Sequence, residues 1–103
     1  MKKSHVLLVA AALIGVQGLA QAADVAAGKA KAMMCAACHG PAGVSSNPIY
    51  PNLAGQKANY IVKQLKDFKS GARNNNPLMP PMAKSLSDSD MENVAAYFSS
   101  LKP

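Results

Sequence analysis

The stretch AMMCAACHGPAG, residues 32–43, contains both cysteines of the chain, Cys35 and Cys38, and a histidine, His39, directly after the second cysteine. Residues three apart on a helical turn share one face, with Cβ atoms about 5 to 6 Å apart. This spacing suits two thioether bonds to the two vinyl groups on one edge of a haem, and His39 can then ligate the iron. The C-x-x-C-H pattern is typical of c-type haem attachment, so we predict one covalently bound haem c.

Three other uses of the cysteines fit the sequence less well. A thioredoxin-like C-x-x-C follows a strand in a βαβ context, and no strand signal precedes Cys35. A structural zinc site needs four ligands, typically Cys and His, and this segment offers three. A plain disulfide would leave His39 without a role. The motif therefore favours haem attachment.

The N-terminus has the pattern of a secretory signal peptide. Lys2 and Lys3 precede an apolar run over residues 6–20, and Ala20-Gln21-Ala22 fits the small-x-small cleavage pattern. The run is shorter than the roughly 18 to 20 apolar residues that a membrane-spanning helix requires. We therefore expect residues 1–22 to be removed on export to the bacterial periplasm, and we expect no membrane span in the mature chain.

Cleavage would leave residues 23–103 as one small domain in which His39 is the only histidine. A core this small often needs a staple such as a metal or disulfides. The mature chain has nine cations against five acids, a formal charge of +4, which favours partners with an acidic docking surface. It has neither a basic run nor an aromatic stacking platform, which argues against nucleic acid binding.

Helical patterns occur in three segments and strand signals are absent, which predicts an all-α fold. The first helix is expected from about Asp24, its N-cap, to the cysteines. The second is expected over residues 57–70, with Gly71 at the C-cap. The third is expected over residues 88–101, where Ser87 and Asp90 can form a capping box.

The segments between these helices, residues 40–55 and 71–86, are rich in Gly and Pro and are predicted to be long loops. Loops of this length are unusual in a small domain unless they are functional. Wrapping a large non-protein group would account for both.

The second axial ligand of the iron is expected to be a methionine, because the mature chain has no second histidine and both cysteines are used. Three of the five mature methionines are poorly placed, two because they share the turn of the cysteines and one because it fits the apolar stripe of the last helix: Met33, Met34 and Met91. Met79 and Met82, both in NPLMPPMA, remain. Pro80 is expected to hold Met79 in a stiff extended segment that presents its sulfur.

The sequence resembles the class I c-type cytochromes, in particular the small bacterial periplasmic monohaem type and one domain of the dihaem periplasmic cytochromes. The resemblance covers residues 23–103 and rests on CAACHG, YPNLAGQ, YIVKQLKDFKSGAR and NNNPLMPPMAKSLSDSDMENVAAYF in this order. It implies a class I cytochrome c fold, in which the N- and C-terminal helices cross and the loops wrap a covalently bound haem. Gly28 and Tyr97 match the small residue and the aromatic residue that face each other at the crossing.

The resemblance also implies roles for single residues. In this subgroup the axial methionine lies seven residues before the leucine of the LSD segment, which selects Met79, seven before Leu86, over the alternative Met82. Pro48 matches the proline whose carbonyl accepts a hydrogen bond from the ligand histidine and so orients it. Contacts to the haem propionates are less regular in the family, and the matching positions are Tyr60, Arg73 and Asn74 to Asn76.

Iron held by His39 and Met79 has both axial positions filled, which predicts a carrier of single electrons rather than an enzyme. We expect this carrier to act in the periplasm as a monomer. Its partners would be redox proteins, such as a reductase or a terminal oxidase complex. Two alternatives are a haem enzyme or gas-binding protein with a labile sixth position, and a fixed haem subunit of a larger redox complex.

Overall fold

The computed structural model describes residues 22–103, so the predicted signal peptide lies outside the described residues except for Ala22. Within this range the chain forms five α-helices and no strand, as expected for an all-α fold. None of the described helices is long and apolar enough to cross a membrane. The helices are α1 Val25–Lys31, α2 Met33–His39, α3 Ala58–Ser70, α4 Met79–Lys84 and α5 Asp88–Ser100.

The predicted helix ends are confirmed by their capping groups. The Asp24 carboxylate accepts a hydrogen bond from the Ala27 N–H at 3.0 Å, at the start of α1. At the start of α5, the Ser87 hydroxyl oxygen accepts from the Asp90 N–H and the Asp90 carboxylate accepts from the Ser87 N–H, both at 3.0 Å. Gly71 ends α3 with φ +87°, a left-handed conformation that glycine adopts without steric cost.

The first predicted helix is divided in two, which the sequence did not indicate. Ala32 ends α1 and begins α2 in a turn conformation with ψ −8°. Its side chain is only 4% exposed and belongs to the apolar core. Ala and Met favour an uninterrupted helix, so tertiary packing here overrides local propensity.

A short helix, α4, occupies part of the segment that we predicted to be a loop. Met79 is its first residue, and the extended conformation predicted for Met79 is therefore wrong. Pro80 and Pro81 lie in the first turn of α4, where the backbone N–H groups lack intrahelical partners in any case. Proline at this position begins a helix instead of preventing one.

Helices α1 and α5 cross at Gly28, as the resemblance implied. A Cβ atom on Gly28 would lie 1.9 Å from the Asn93 carbonyl oxygen and 3.1 Å from the Tyr97 Cβ. The Asp24 N–H also donates to the Asn93 side-chain oxygen at 2.9 Å, and the Lys31 ammonium lies 3.6 Å from the Asp90 carboxylate. Only glycine allows the two backbones to approach this closely.

The apolar core lies mainly between α3 and α5 and includes Ala32 and Leu86. From α5, Met91, Val94, Ala95 and Phe98 are nearly inaccessible to solvent, which places Met91 in the core as predicted. From α3, the buried residues are Ile61, Val62, Leu65 and Phe68. Several of these side chains also face a cavity, so the core continues directly into the candidate site.

Candidate functional site

A cavity of about 560 Å³ is enclosed by all the helices except α1, together with the loops that follow α2 and α3. Its walls are mostly apolar, with side chains from α3 and α5 such as Ile61, Leu65, Phe68, Val94 and Phe98. Four of the predicted site residues, Cys35, Cys38, His39 and Met79, line it together. Sites for cofactors are typically mostly apolar clefts of several hundred Å³ with a few placed polar groups, and this cavity fits that description.

The two cysteines lie on one turn of α2 at the edge of the cavity, and both are free thiols. Cys35 is half-buried, whereas Cys38 is exposed. Burial, and secondarily the neighbouring Cys38, raises the pKa of the Cys35 thiol. Within residues 22–103, no three His, Cys, Asp or Glu side chains are grouped as ligands for a bare metal ion.

His39 is the last residue of α2 and is 8% exposed. Its Nδ1 lies 2.8 Å from the Pro51 carbonyl oxygen, which assigns Nδ1 as the protonated donor and leaves Nε2 as the nitrogen with a free lone pair. None of the described hydrogen bonds uses Nε2, and no described side-chain nitrogen is both buried and unpartnered. Nε2 therefore keeps accessible surface where His39 lines the cavity.

The acceptor of this bond differs from our prediction, which named the Pro48 carbonyl. Pro48 stands inside a turn that the Tyr50 N–H closes on the Asn47 carbonyl at 3.0 Å. Proline with its fixed φ is common at this position of a turn. Pro51 follows the turn, and its carbonyl, not that of Pro48, faces the imidazole.

Tight backbone contacts hold the loop on the His39 side in shape. The Gly43 carbonyl accepts hydrogen bonds from the N–H groups of both Leu53 and Ala54, at 2.8 and 3.0 Å, and so joins the two ends of the loop. Gly40 has φ +90°, and a Cβ atom there would lie 2.0 Å from the Val44 carbonyl oxygen. The loop thus depends on glycine at the position directly after His39.

Both candidate methionines, Met79 and Met82, line the cavity. Met79 is half-buried and packs against the core, whereas Met82, later in the same helix, is 36% exposed. The Asn76 side-chain oxygen accepts hydrogen bonds from the Leu78 and Met79 N–H groups, at 2.8 and 3.3 Å. These bonds fix the start of α4 and therefore the position of the Met79 backbone.

The residues predicted to contact the haem propionates are placed unequally. Arg73 lines the cavity and is half-buried. Tyr60 also lines it, but its side chain is 51% exposed. Of the three asparagines only Asn76 reaches the cavity wall, and Pro48 is exposed and is not among the lining residues.

Several polar lining residues were not predicted from the sequence: Tyr50, Asn52, Gln56 and Gln64. The Tyr50 ring lies beside His39, with ring centroids 6.3 Å apart. Gln64 lies four residues after Tyr60 on α3, so helical spacing from a predicted site residue could have identified it. The loop residues had no comparable signal, because loop geometry decides where they point.

The donor set and the mostly apolar lining of the cavity fit a c-type haem. Two free thiols at one edge, an imidazole with one nitrogen fixed, and thioethers from α4 are the groups that such a haem uses for attachment and ligation. The apolar walls would cover the faces of the ring. No Asp or Glu is among the described lining residues, so no carboxylate there would repel the haem propionates.

Comparison with known proteins agrees with this geometry. The sequence profile of the cytochrome c family matches residues 25–102. Cytochrome c4 of Azotobacter vinelandii is 46% identical over 99 residues, which cover 87% of this chain and 47% of that protein. Cytochrome c-554(548) of Halomonas halodenitrificans is 49% identical over 81 residues, which cover 77% of this chain and 98% of that protein.

A solved structure supports the fold. The crystal structure of reduced recombinant cytochrome c4 from Pseudomonas stutzeri matches with a TM-score of 0.69 at 45% identity, over 79% of this chain and 47% of that one. The chain therefore spans about half the length of the cytochromes c4 that it matches.

Proposed function

The chain belongs to the cytochrome c family, and we propose that it carries single electrons in the bacterial periplasm through one haem c ligated by His39 and Met79. Membership of the family implies a covalently bound haem, and Cys35 and Cys38 are the cysteines present for its attachment. One observation carries the proposal. A single apolar cavity brings together both thiols, an imidazole with Nδ1 already hydrogen-bonded, and Met79.

When bound, the haem supplies an iron that exchanges one electron reversibly between Fe(II) and Fe(III). His39 contributes a fixed tautomer: its Nδ1–H donates to the Pro51 carbonyl, so that Nε2 offers a lone pair with little freedom to rotate. The hydrogen bond also makes the imidazole a stronger donor. The same contact therefore orients the ligand and tunes it.

Met79 would be the second residue, with His39, that holds the iron. Its half-buried place at the start of α4, held through Asn76, supports this role better than the exposed place of Met82. A thioether ligand and apolar surroundings both raise the reduction potential. Iron held by both His39 and Met79 would have no ready place for a substrate, which is why we propose a carrier and not an enzyme.

The remaining predicted residues take supporting roles in this proposal. Arg73, in the cavity wall, would pair with a haem carboxylate, and Tyr60, which is 51% exposed, would lie near the rim of the haem. Pro48 shapes the turn that precedes Pro51.

We further propose that the mature chain is a monomer, exported by the signal peptide in residues 1–22. Its formal charge of +4 steers it to redox proteins with acidic docking surfaces. Weak redox encounters need only small interfaces.

Haem retention and redox titration test this proposal. The protein is expressed with its signal peptide in cells with cytochrome-maturation machinery and extracted with acid–acetone. We expect haem to stay on the polypeptide and to titrate as a single reversible one-electron couple. The Cys35→Ala/Cys38→Ala double variant should lose all its haem to the solvent, and colourless unsubstituted protein would refute the proposal.

A further inference from the structure

The Arg73 guanidinium is the one permanently charged group among the described residues that line the cavity. No ion pair joins it to any described carboxylate. Its partners are neutral: the Gln64 side-chain oxygen, 2.8 Å from Arg73 Nη1, and the Phe68 ring, whose centroid is 4.4 Å from Arg73 Cζ. A guanidinium has five N–H donors, so these contacts leave most of its capacity available for an anion.

The backbone at the end of α3 brings Arg73 back over this helix. Gly71, in the left-handed conformation, reverses the chain, and the Asp67 carbonyl accepts hydrogen bonds from the N–H groups of Gly71 and Arg73, at 3.1 and 3.0 Å. Gln64 and Phe68 lie one turn apart on the same face of α3. The Arg73 side chain therefore runs along this face, stacks on the ring and reaches the amide.

We propose that Gln64, together with Phe68, is a positioning residue that aims the Arg73 guanidinium at a carboxylate of the bound haem. The inference rests on the proposed function, since the haem supplies the carboxylate. A long flexible side chain loses conformational entropy when it forms an ion pair. Fixing the guanidinium beforehand lowers this loss and presents the planar fork that a carboxylate binds with two hydrogen bonds.

The consequence for the haem is electrostatic. A cation paired with a haem carboxylate offsets a negative charge that would otherwise stabilise Fe(III) over Fe(II). Arg73 in its place therefore raises the midpoint potential. Gln64 has no charge, so it can alter the potential in this way only by controlling where the Arg73 charge lies.

Four variants of the holoprotein test the inference: Gln64→Leu, Arg73→Gln, the double variant Gln64→Leu/Arg73→Gln, and the control Lys66→Gln. Lys66 is an exposed cation on α3 that does not line the cavity. Lys66→Gln and Arg73→Gln each remove one positive charge, so the control matches the change in net charge. The midpoint potential and the thermal unfolding temperature are measured for each. The unfolding temperature reports a merely structural role of Gln64, and the potential does not.

We expect Arg73→Gln to lower the midpoint potential, Gln64→Leu to lower it less, and the double variant to equal Arg73→Gln. Lys66→Gln should leave the potential nearly unchanged. A Gln64→Leu protein that unfolds at a lower temperature with an unchanged potential would overturn the inference. So would additive shifts in the double variant, or a shift in Arg73→Gln no larger than in the control. Loss of covalent haem from the unsubstituted protein would instead refute the proposed function itself.

Discussion

The two sides of the cavity are built in different ways. On the His39 side, residues 40–55 form a loop closed by backbone hydrogen bonds to Gly43, and His39 itself is 8% exposed. On the Met79 side, residues 71–86 end in the short helix α4, where Met79 is half-buried and Met82 is 36% exposed. From this difference we expect the His39 side to be the more rigid of the two and the Met79 side to open more easily.

The largest expected effect comes from the proposed ligand on the Met79 side. Met79→Ala should abolish the far-red methionine–iron charge-transfer band of the oxidised protein and lower the midpoint potential, because the thioether favours Fe(II). Met82→Ala is the matched control and should leave both nearly intact. Absorption spectra and redox titration decide the matter, and the reverse result would transfer the ligand role to Met82.

A second prediction compares one glycine from each side. Gly40 and Gly71 both have positive φ, but a Cβ atom on Gly40 would lie 2.0 Å from the Val44 carbonyl oxygen, whereas none of the described atoms lies within 4 Å of one on Gly71. We expect Gly40→Ala to lower the free energy of unfolding by roughly 2 to 4 kcal/mol, from strain plus the clash. Gly71→Ala should cost about 1 kcal/mol, from strain alone. Urea unfolding of the holoproteins measures both changes. Equal losses of unfolding free energy in the two variants would contradict the difference between the two sides of the cavity.

A third prediction concerns one asparagine from each side. Asn76→Ala removes the oxygen that accepts from the Leu78 and Met79 N–H groups, a loss of about 1 kcal/mol for a helix start. Because Met79 then detaches more often, the reduced protein should bind carbon monoxide faster. Asn52→Ala removes a comparable bond on the His39 side, in which Asn52 accepts from the Ser45 N–H at 2.7 Å. Its carbon monoxide binding should match the unsubstituted protein; faster binding in Asn52→Ala alone would show that the His39 side is the weaker one.

The smallest expected effect lies outside both sides, in the helical frame. The hydrogen bond from the Ser87 N–H lowers the pKa of the Asp90 carboxyl below its ordinary value. The folded state thus favours the ionised form, so the stabilisation is present above the ordinary carboxyl pKa and is lost as the pH falls through the lowered value. Unfolding temperatures between pH 2 and 6 should fall less steeply for Asp90→Asn than for the unsubstituted protein. Identical profiles would contradict this role of Asp90.

Local sequence patterns predicted those parts of the fold that depend on neighbouring residues. The capping groups Asp24 and Ser87 identified their helix starts, and the resemblance placed Gly28 at the crossing with α5. The C-x-x-C-H spacing predicted that the two thiols and the imidazole belong to one site, and all three line the cavity. Each of these features is set by a few consecutive residues or by a close backbone contact that only glycine permits.

The parts that could not be predicted depend on the path of the chain through space. The resemblance pointed to Pro48, and the sequence did not show that the Pro51 carbonyl faces His39, because the turn between the two prolines determines this. Likewise, the start of α4 depends on the Asn76 side chain, and local rules for the residue before a proline pointed the other way. Gln64 and Arg73 are nine residues apart, and their contact requires the chain reversal at Gly71. Helical periodicity could not have predicted it.

The pairing of Leu53 and Ala54 with the carbonyl of Gly43 has a consequence for hydrogen exchange. Both amides belong to a segment without helix or strand, where rapid exchange with deuterium would ordinarily be expected. Their protons can nevertheless be replaced only when the two ends of the segment separate, and this segment also contains Pro51, whose carbonyl accepts from His39. The rate of deuteration at these two positions would therefore report how often the segment beside His39 opens.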